Sequence, residues 1–172
     1  MRAFFWGVFL TIVVILVGAY LVMKLGYINF AADQEAPTIE RHLAMTASDA
    51  SLDRRAPVIQ NPLTPTEDTL VAGAKLYRDN CAGCHGSSAN PVADMGHAFN
   101  PPAPQFMSDS ADMPDHENFY IIRHGVRWTG MPSWKAKFSD AQVWQLVTFL
   151  KHMDKLPPSA EKEIRQPPSP SY

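Results

Sequence analysis

The hydropathy pattern begins with an uncharged, mostly apolar run of residues, Phe4–Met23. As a helix rising ~1.5 Å per residue, it would be about 30 Å long, which matches the hydrocarbon core of a bilayer. Trp6 and Tyr20 lie near its ends, where aromatic rings favour the headgroup level. The run exceeds the ~7–15 apolar residues usual for a signal peptide, although Val17-Gly18-Ala19 offers a small-residue cleavage site. We therefore expect residues 1–26 to be a retained transmembrane anchor in a lipid bilayer.

Residues 27–65 have no strong period and predict a juxtamembrane tether. Four prolines interrupt the segment: Pro37, Pro57, Pro62 and Pro65. They leave room for one helix, around Thr38–Arg55, whose thin apolar stripe contains Ile39, Leu43 and Ala47. Such a stripe either packs on a partner or is solvated, and its narrowness favours solvation.

Helical spacing begins at Thr66 and predicts three helices. The apolar positions of the first are Leu70, Gly73, Ala74 and Tyr77. The second runs from about Asp115 to His124, with Phe119 and Ile122 inward and Gly125 as its stop. The third follows a capping box at Ser139–Gln142 and carries Val143, Leu146, Val147 and Leu150 on one face. No strand pattern is visible, so the sequence predicts an all-α domain over residues 66–156.

Two segments of this C-terminal part have no helical period. Gly86–Met113 is rich in Pro, Asn, Ser and Asp. A loop of roughly 28 residues is unusual in a compact domain, unless a large prosthetic group supplies the missing core. Residues 157–172 contain five prolines and predict an extended or disordered Pro-rich tail.

Composition narrows the classes of function. The 172 residues carry 15 Lys+Arg and 17 Asp+Glu, for a net charge of −2. This argues against nucleic acid as a partner, since phosphate binding needs a basic face. The two cysteines are too few for a disulfide scaffold, and they stand three positions apart.

Those cysteines belong to Cys81-Ala82-Gly83-Cys84-His85, the C-x-x-C-H arrangement of covalent haem attachment. Two thiols one helical turn apart can each bond one vinyl group of the same porphyrin, and the adjacent imidazole then meets the iron. A thioredoxin-like dithiol would need a βαβ context, and a structural zinc site would need four ligands. Neither is present in the sequence, so we expect one covalently bound haem c.

If His85 binds a haem iron, the sixth coordination position is either filled by another side chain or open. The Met and His candidates are Met95, His97, Met107, Met113, His116, His124, Met131, His152 and Met153. Met131 is distinguished by its setting, Thr129-Gly130-Met131-Pro132, because Gly and Pro favour a tight, fixed turn. A soft thioether suits a low-spin iron, and Met/His ligation raises its reduction potential.

The segment from Leu70 to Met153, roughly half of the chain, resembles class I (mitochondrial-type) monohaem cytochromes c, in a membrane-anchored bacterial form. The motifs that carry the resemblance are Gly73-Ala74-Lys75-Leu76-Tyr77 before the cysteines, the haem motif itself, and Leu146–Lys151, with Leu146 and Phe149 as helix contacts. In that family the two terminal helices cross closely. Gly73 suits such a crossing, because a residue without Cβ lets an aromatic ring approach the backbone.

The resemblance also implies roles for single residues. His85 would be the proximal iron ligand and Met131 the distal one. Pro104 matches the proline whose carbonyl accepts the imidazole Nδ1–H, although Pro101 and Pro102 leave that register open. Thr129 matches a residue that hydrogen-bonds a haem propionate.

The sequence departs from small soluble members of that family in lacking a lysine-rich face. Asp68–Lys155 contains eight Lys/Arg and nine Asp/Glu. Arg123, Arg127, Lys135 and Lys137 nevertheless surround the Met131 segment. They form either a docking site for an acidic partner or a solvated mixed surface that also neutralises the propionates.

These features predict a carrier of single electrons rather than an enzyme, with no catalytic residues and no small-molecule substrate. It would work with redox partner proteins, as a tethered shuttle or as a subunit of a respiratory or photosynthetic membrane complex. Haem attachment takes place outside the cytoplasm, so we expect the domain in the periplasm, on the bacterial inner membrane. The alternative is a haem enzyme or gas sensor with a labile Met131 and a polar distal group from His97, His116 or His124.

Overall fold

The computed structural model describes residues 1–169 and divides the chain into two compact units, which meet in sequence at Gln34 and Glu35. The first unit contains one long helix, α1 (Arg2–Lys24), with a mean hydropathy of 2.5 over its most apolar window. Its length and composition are sufficient to cross a membrane. Throughout residues 1–169 the secondary structure is helical without strands, which confirms the predicted all-α class.

The second unit begins with α2 (Thr38–Arg55), which has the bounds the proline spacing predicts. None of its residues is buried, and its stripe residues Ile39 and Leu43 are exposed. The chain after α2, in contrast, contains buried and hydrogen-bonded residues. Ala56 is buried, and the Asn61 amide donates to the Thr148 hydroxyl at 3.0 Å. The last part of the predicted tether is therefore attached to the helical domain that follows it.

Two helices cross at the centre of that domain, α3 (Glu67–Asn80) and α7 (Asp140–Lys151). A Cβ placed on Gly73 would lie 2.4 Å from the Gln145 carbonyl oxygen and 2.5 Å from the Phe149 Cβ. The ring of Tyr77 then packs on Phe149, with centroids 5.3 Å apart. The predicted close approach at Gly73 is present, because only a residue without a side chain fits between the two backbones.

A third helix, α6 (Asp115–His124), covers another side of α7. Its buried residues are Phe119 and Ile122, as its periodicity predicts, and Phe119 stacks on Trp144 with centroids 4.3 Å apart. The helix ends at Gly125, whose φ is +70°. The Ser139–Gln142 capping box that begins α7 is also present, with both reciprocal hydrogen bonds. Two one-turn helices, α4 (Ala82–His85) and α5 (Asp94–His97), lie between α3 and α6.

Of the predicted tail, residues 157–169 are described and differ from the expectation of extended or disordered chain, while residues 170–172 lie outside the described part. Residues Pro158–Ile164 form α8, which packs on α3 through the buried Ala160 and Ile164. Proline at the first helical position is compatible with a helix, because the missing N–H has no intrahelical partner there. The prediction of an extended or disordered tail is wrong for these residues, because two of the prolines stand at the start of α8 and Ala160 and Ile164 are buried.

Arg78 attaches the segment after α8 to α3. Its side chain is 6% exposed and bonds the carboxylates of Asp79 and Glu163, each at 2.7 Å. It also donates to the Gln166 amide oxygen and the Ser169 hydroxyl. The guanidinium presents its N–H donors in a fixed fork. One side chain can therefore bond α3, α8 and the segment after α8 at the same time.

Candidate functional site

The C-x-x-C-H residues form the single turn of α4, which begins where α3 ends. Backbone N–H groups of Cys84 and His85 both donate to the Cys81 carbonyl, at 3.0 and 2.9 Å. Both cysteines are free thiols and half-buried. Burial raises the pKa of the Cys81 thiol to about 12, with the neighbouring Cys84 adding to the shift and Lys137 opposing it. The turn therefore presents two thiol side chains and one imidazole from adjacent positions.

His85 is oriented by the loop opposite. Its Nδ1 lies 2.9 Å from the Pro104 carbonyl oxygen, which places Pro104, rather than Pro101 or Pro102, against the imidazole. The ring also stacks on Phe106, with centroids 4.7 Å apart and planes 12° apart. Burial lowers the pKa of His85, and the Pro104 hydrogen bond partly offsets that effect. A carbonyl acceptor on Nδ1 fixes the tautomer in which Nε2 carries a lone pair for a metal.

Gln105 holds this loop against α4 and has no counterpart in the sequence prediction. The side chain is buried, and its amide nitrogen donates to the carbonyls of Cys84 and Ala103, both at 2.9 Å. Its amide oxygen accepts the Ala93 N–H at 2.8 Å. A Cβ on Gly96 would lie 1.9 Å from the Cys84 carbonyl oxygen, so the loop backbone touches α4 directly. A glutamine inside a polar, Pro-rich segment gives no sequence signal of such a role.

The Met131 segment is a closed turn whose hydrogen bonds involve Thr129. The Thr129 hydroxyl donates to the Val126 carbonyl at 2.8 Å and accepts the Met131 N–H at 3.1 Å. The Val126 N–H donates to the Met131 carbonyl at 3.1 Å. Met131 itself is half-buried and packs against the apolar core. Since the Thr129 proton goes to Val126 here, contact with a propionate remains a prediction for this residue.

Two glycines allow the Met131 turn to fit among its neighbours. A Cβ on Gly125 would come within 2.8 Å of the backbone of residues 131–133. A Cβ on Gly130 would lie 2.9 Å from the ring of Phe99, which belongs to the same irregular segment as Pro104. The turn that carries Met131 therefore borders the segment that orients His85.

Four of the other sixth-ligand candidates have neighbours away from the Met131 turn. Met107 and Met153 line a cavity of about 220 Å³ with Ser88, on the side covered by α8. His152 Nδ1 lies 2.8 Å from the Thr148 carbonyl oxygen, and the ring of His124 contacts that of Tyr120, tilted by 34°. Within residues 1–169 there is no cluster of three His, Cys, Asp or Glu that could hold a metal ion by itself.

The donor set fits haem c. The two thiols of Cys81 and Cys84, the oriented imidazole of His85 and the soft thioether of Met131 are the residue types that hold such a group. Phe106, which stacks on His85, and Met131 are only half-buried against the core. A bulky apolar group would cover the exposed part of both side chains. Fold and site together define a c-type cytochrome domain.

Comparison with known proteins agrees with this class. Residues 68–150 match the family described as cytochrome c oxidase, cbb3-type, subunit III. These residues are thus similar to a cytochrome c domain, a family whose cofactor is haem c.

Two of the related proteins illustrate the similarity. The cbb3-type cytochrome c oxidase subunit FixPc of Rhizobium leguminosarum bv. viciae is 34% identical over 94 residues, which is 51% of this chain and 29% of the relative. Subunit FixP of Rhizobium meliloti is 30% identical over 94 residues, which is 54% of this chain and 31% of that relative. The chain therefore spans less than a third of the length of these relatives.

Proposed function

We propose that this protein carries single electrons through one covalently attached haem c, as a membrane-anchored subunit of a cbb3-type or related respiratory oxidase. The observation that carries the proposal is the C-x-x-C-H turn with His85 Nδ1 held 2.9 Å from the Pro104 carbonyl. When bound, the haem iron supplies a one-electron Fe(III)/Fe(II) couple. The sequence has one such motif and two cysteines, which supports one haem in these 172 residues.

The chain's own residues have three tasks in this proposal. Cys81 and Cys84 would anchor the group covalently. His85 would bind the iron, with its proton kept on Nδ1 by Pro104, and Met131, held by the Thr129 hydrogen bonds, would be the second protein ligand. Two protein ligands would leave the iron no open position for a substrate, which suits electron transfer rather than catalysis.

We place the cytochrome domain in the periplasm, with α1 in the bacterial inner membrane. Supporting this, covalent haem attachment occurs outside the cytoplasm, and α1 is long and apolar enough to span. The burial of Ala56 and the Asn61 hydrogen bond favour a fixed subunit over a freely moving shuttle, because they shorten the part of the tether that is free to move. The names of the relatives favour the oxidase as the complex.

An absorption spectrum of the purified full chain tests the closed site. Oxidised and reduced protein is recorded with and without carbon monoxide. We expect a low-spin haem with a Met–iron(III) charge-transfer band and no response to the gas. Met131→Ala should abolish the band and admit carbon monoxide, while Met131→His should stay low-spin with a lower potential. A wild-type spectrum that shifts with the gas would instead favour the haem enzyme or gas sensor.

A second measurement tests the complex. Membranes that contain the full chain are extracted with mild detergent and separated by gel filtration. Co-elution with an oxygen-reducing complex is the expected result. Elution as a small monomer would overturn the assignment as a fixed subunit.

A further inference from the structure

Phe106 contacts His85 through both its ring and its backbone. The ring stacks on the imidazole, with centroids 4.7 Å apart and planes 12° apart. The Phe106 N–H donates to the His85 carbonyl oxygen at 3.1 Å. Because this second contact ties the two backbones together, the Phe106 ring reaches the imidazole from one defined direction.

The segment that carries Phe106 is held on both sides of this residue. Before it, the Gln105 side chain is buried, and its amide nitrogen donates to the Cys84 carbonyl oxygen at 2.9 Å. After it, the N–H groups of Ser108 and Asp109 donate to the Gln105 carbonyl oxygen, at 3.1 and 3.0 Å. Phe106 therefore lies within a closed turn, and its ring has a support that local hydrogen bonds keep in place.

The hydrogen bond to Pro104 does not by itself determine the plane of the imidazole. It keeps the proton on Nδ1 and gives that edge of the ring its direction. The angles at which a carbonyl oxygen accepts a hydrogen bond are broadly distributed, however, and the χ2 torsion of histidine is itself broad. A flat ring packed on the imidazole restricts the rotation that remains, because turning the imidazole would break the stack. In this structure the Phe106 ring is that flat surface.

We infer that Phe106 is a positioning residue that sets the plane of the His85 imidazole through the ring stack, while Pro104 sets its tautomer. A leucine would fill a similar apolar space but has no flat face, so this role needs the aromatic ring and packing alone does not. The inference rests on the proposed haem-binding function. In a low-spin ferric haem, the plane of the axial imidazole contributes to the magnetic anisotropy of the iron, which gives the role a direct readout.

The test uses the oxidised, haem-loaded full chain in detergent and compares two variants with wild type. Phe106→Leu removes the flat face, and Phe106→Tyr keeps it. Proton NMR gives the paramagnetic shifts of the four haem methyl groups, and electron paramagnetic resonance of frozen samples gives the g values of the iron.

For Phe106→Leu we expect the spread of the four methyl shifts to fall, because an imidazole that samples several planes averages their contributions. The signal at the largest g value should broaden, since freezing traps those planes. Phe106→Tyr should keep the wild-type spread and line width. Phe30→Leu makes the same change at an exposed ring of the N-terminal unit and is the matched control, which should equal wild type in both spectra.

Four results would overturn the positioning role. If Phe106→Leu keeps the wild-type spread and line width, Phe106 only packs against the core, and the electron-transfer function stands. If Phe106→Tyr changes as Phe106→Leu does, the flat face is not what holds the imidazole. Loss of the Met–iron(III) charge-transfer band in Phe106→Leu would place its effect at Met131 rather than at His85. A wild-type protein without a low-spin ferric haem would overturn the proposed function, and the positioning role with it.

Discussion

The carbonyl oxygen of Pro104 lies 2.9 Å from Nδ1 of His85, although 18 residues separate the two in the chain. The contact depends on the loop being held against α4, to which the Gln105 side chain and the Phe106 N–H each donate a hydrogen bond. The Gln105 amide nitrogen donates to the carbonyls of Cys84 and Ala103, and its amide oxygen accepts the Ala93 N–H. Gln105 is thus a positioning residue for the imidazole rather than a ligand.

Replacing Gln105 by Ala should therefore affect both stability and the haem. Buried groups left without partners cost about 1–3 kcal/mol each, so we expect a loss of about 3 kcal/mol in urea unfolding. A weaker hydrogen bond on Nδ1 makes the imidazole a poorer donor and should raise the reduction potential. Gln60→Ala, at an exposed position of the tether, is the control and should change neither. A destabilised variant with an unchanged potential would limit Gln105 to a structural role.

Gly73→Ala tests the helix crossing. The new Cβ would lie 2.4 Å from the Gln145 carbonyl oxygen, and neither helix backbone can move without disturbing the core. Overpacking of this kind costs about 1–3 kcal/mol, and the midpoint of urea unfolding should fall accordingly. Gly83→Ala is the matched control, since no atom lies within 4 Å of a Cβ at that position. Equal stability of Gly73→Ala and wild type would contradict the close crossing.

Thr129→Val removes the hydroxyl that closes the Met131 turn. Two hydrogen bonds of about 1 kcal/mol each are lost, which corresponds to a roughly tenfold or greater increase in the population with Met131 detached. Carbon monoxide should then bind measurably to the reduced protein. Thr129→Ser keeps the hydroxyl and should remain closed. Equal gas binding in the two variants would show that the Thr129 hydroxyl does not keep the Met131 turn closed.

Acid should weaken the attachment of the C-terminal segment. Hydrogen bonds from Arg78, followed by those from Ser169, lower the pKa of Asp79 from 3.8 to about 2, against the opposing effect of burial. A folded-state pKa below the unfolded value means that the stabilisation is complete above pH ~4 and is lost as the pH falls toward 2. We expect a loss on the order of 1–2 kcal/mol between those values in urea titrations.

Asp79→Asn isolates that contribution, because the amide cannot titrate. Its stability should change less with pH between 4 and 2 than that of wild type. Asp154→Asn, at an exposed carboxylate, is the comparison and should keep the wild-type slope. Parallel curves for wild type and Asp79→Asn would contradict the role of the Arg78 network.

The helices of the domain were predictable because their apolar positions repeat and their ends carry local signals. The capping box of Ser139 and Gln142 marks the start of α7, and Gly125 marks the end of α6. The bounds of α2 follow from the prolines on either side of it. The haem-attachment motif is likewise local in sequence. Each of these features depends on residues within a few positions of one another.

The features that sequence reasoning missed depend on contacts between distant segments. Gln105 acts on Cys84 and Ala93, Arg78 on Glu163 and Ser169, and Asn61 on Thr148. A polar residue that bonds a distant backbone has no periodicity to reveal it. Burial of such a residue follows from how the loops close, which a hydropathy pattern does not encode.

The crossing at Gly73 has a consequence for how the protein is made. The helix that precedes the cysteines, α3, packs on residues more than 70 positions later in the chain, Gln145 and Phe149. Until α7 has been synthesised, the face of α3 that contains Gly73 has no partner helix, and this part of the core cannot close. Cys81 and Cys84 are synthesised earlier, so their thiols stay accessible during that interval. Under the proposed function, both thiols are therefore open to haem attachment before the fold covers them.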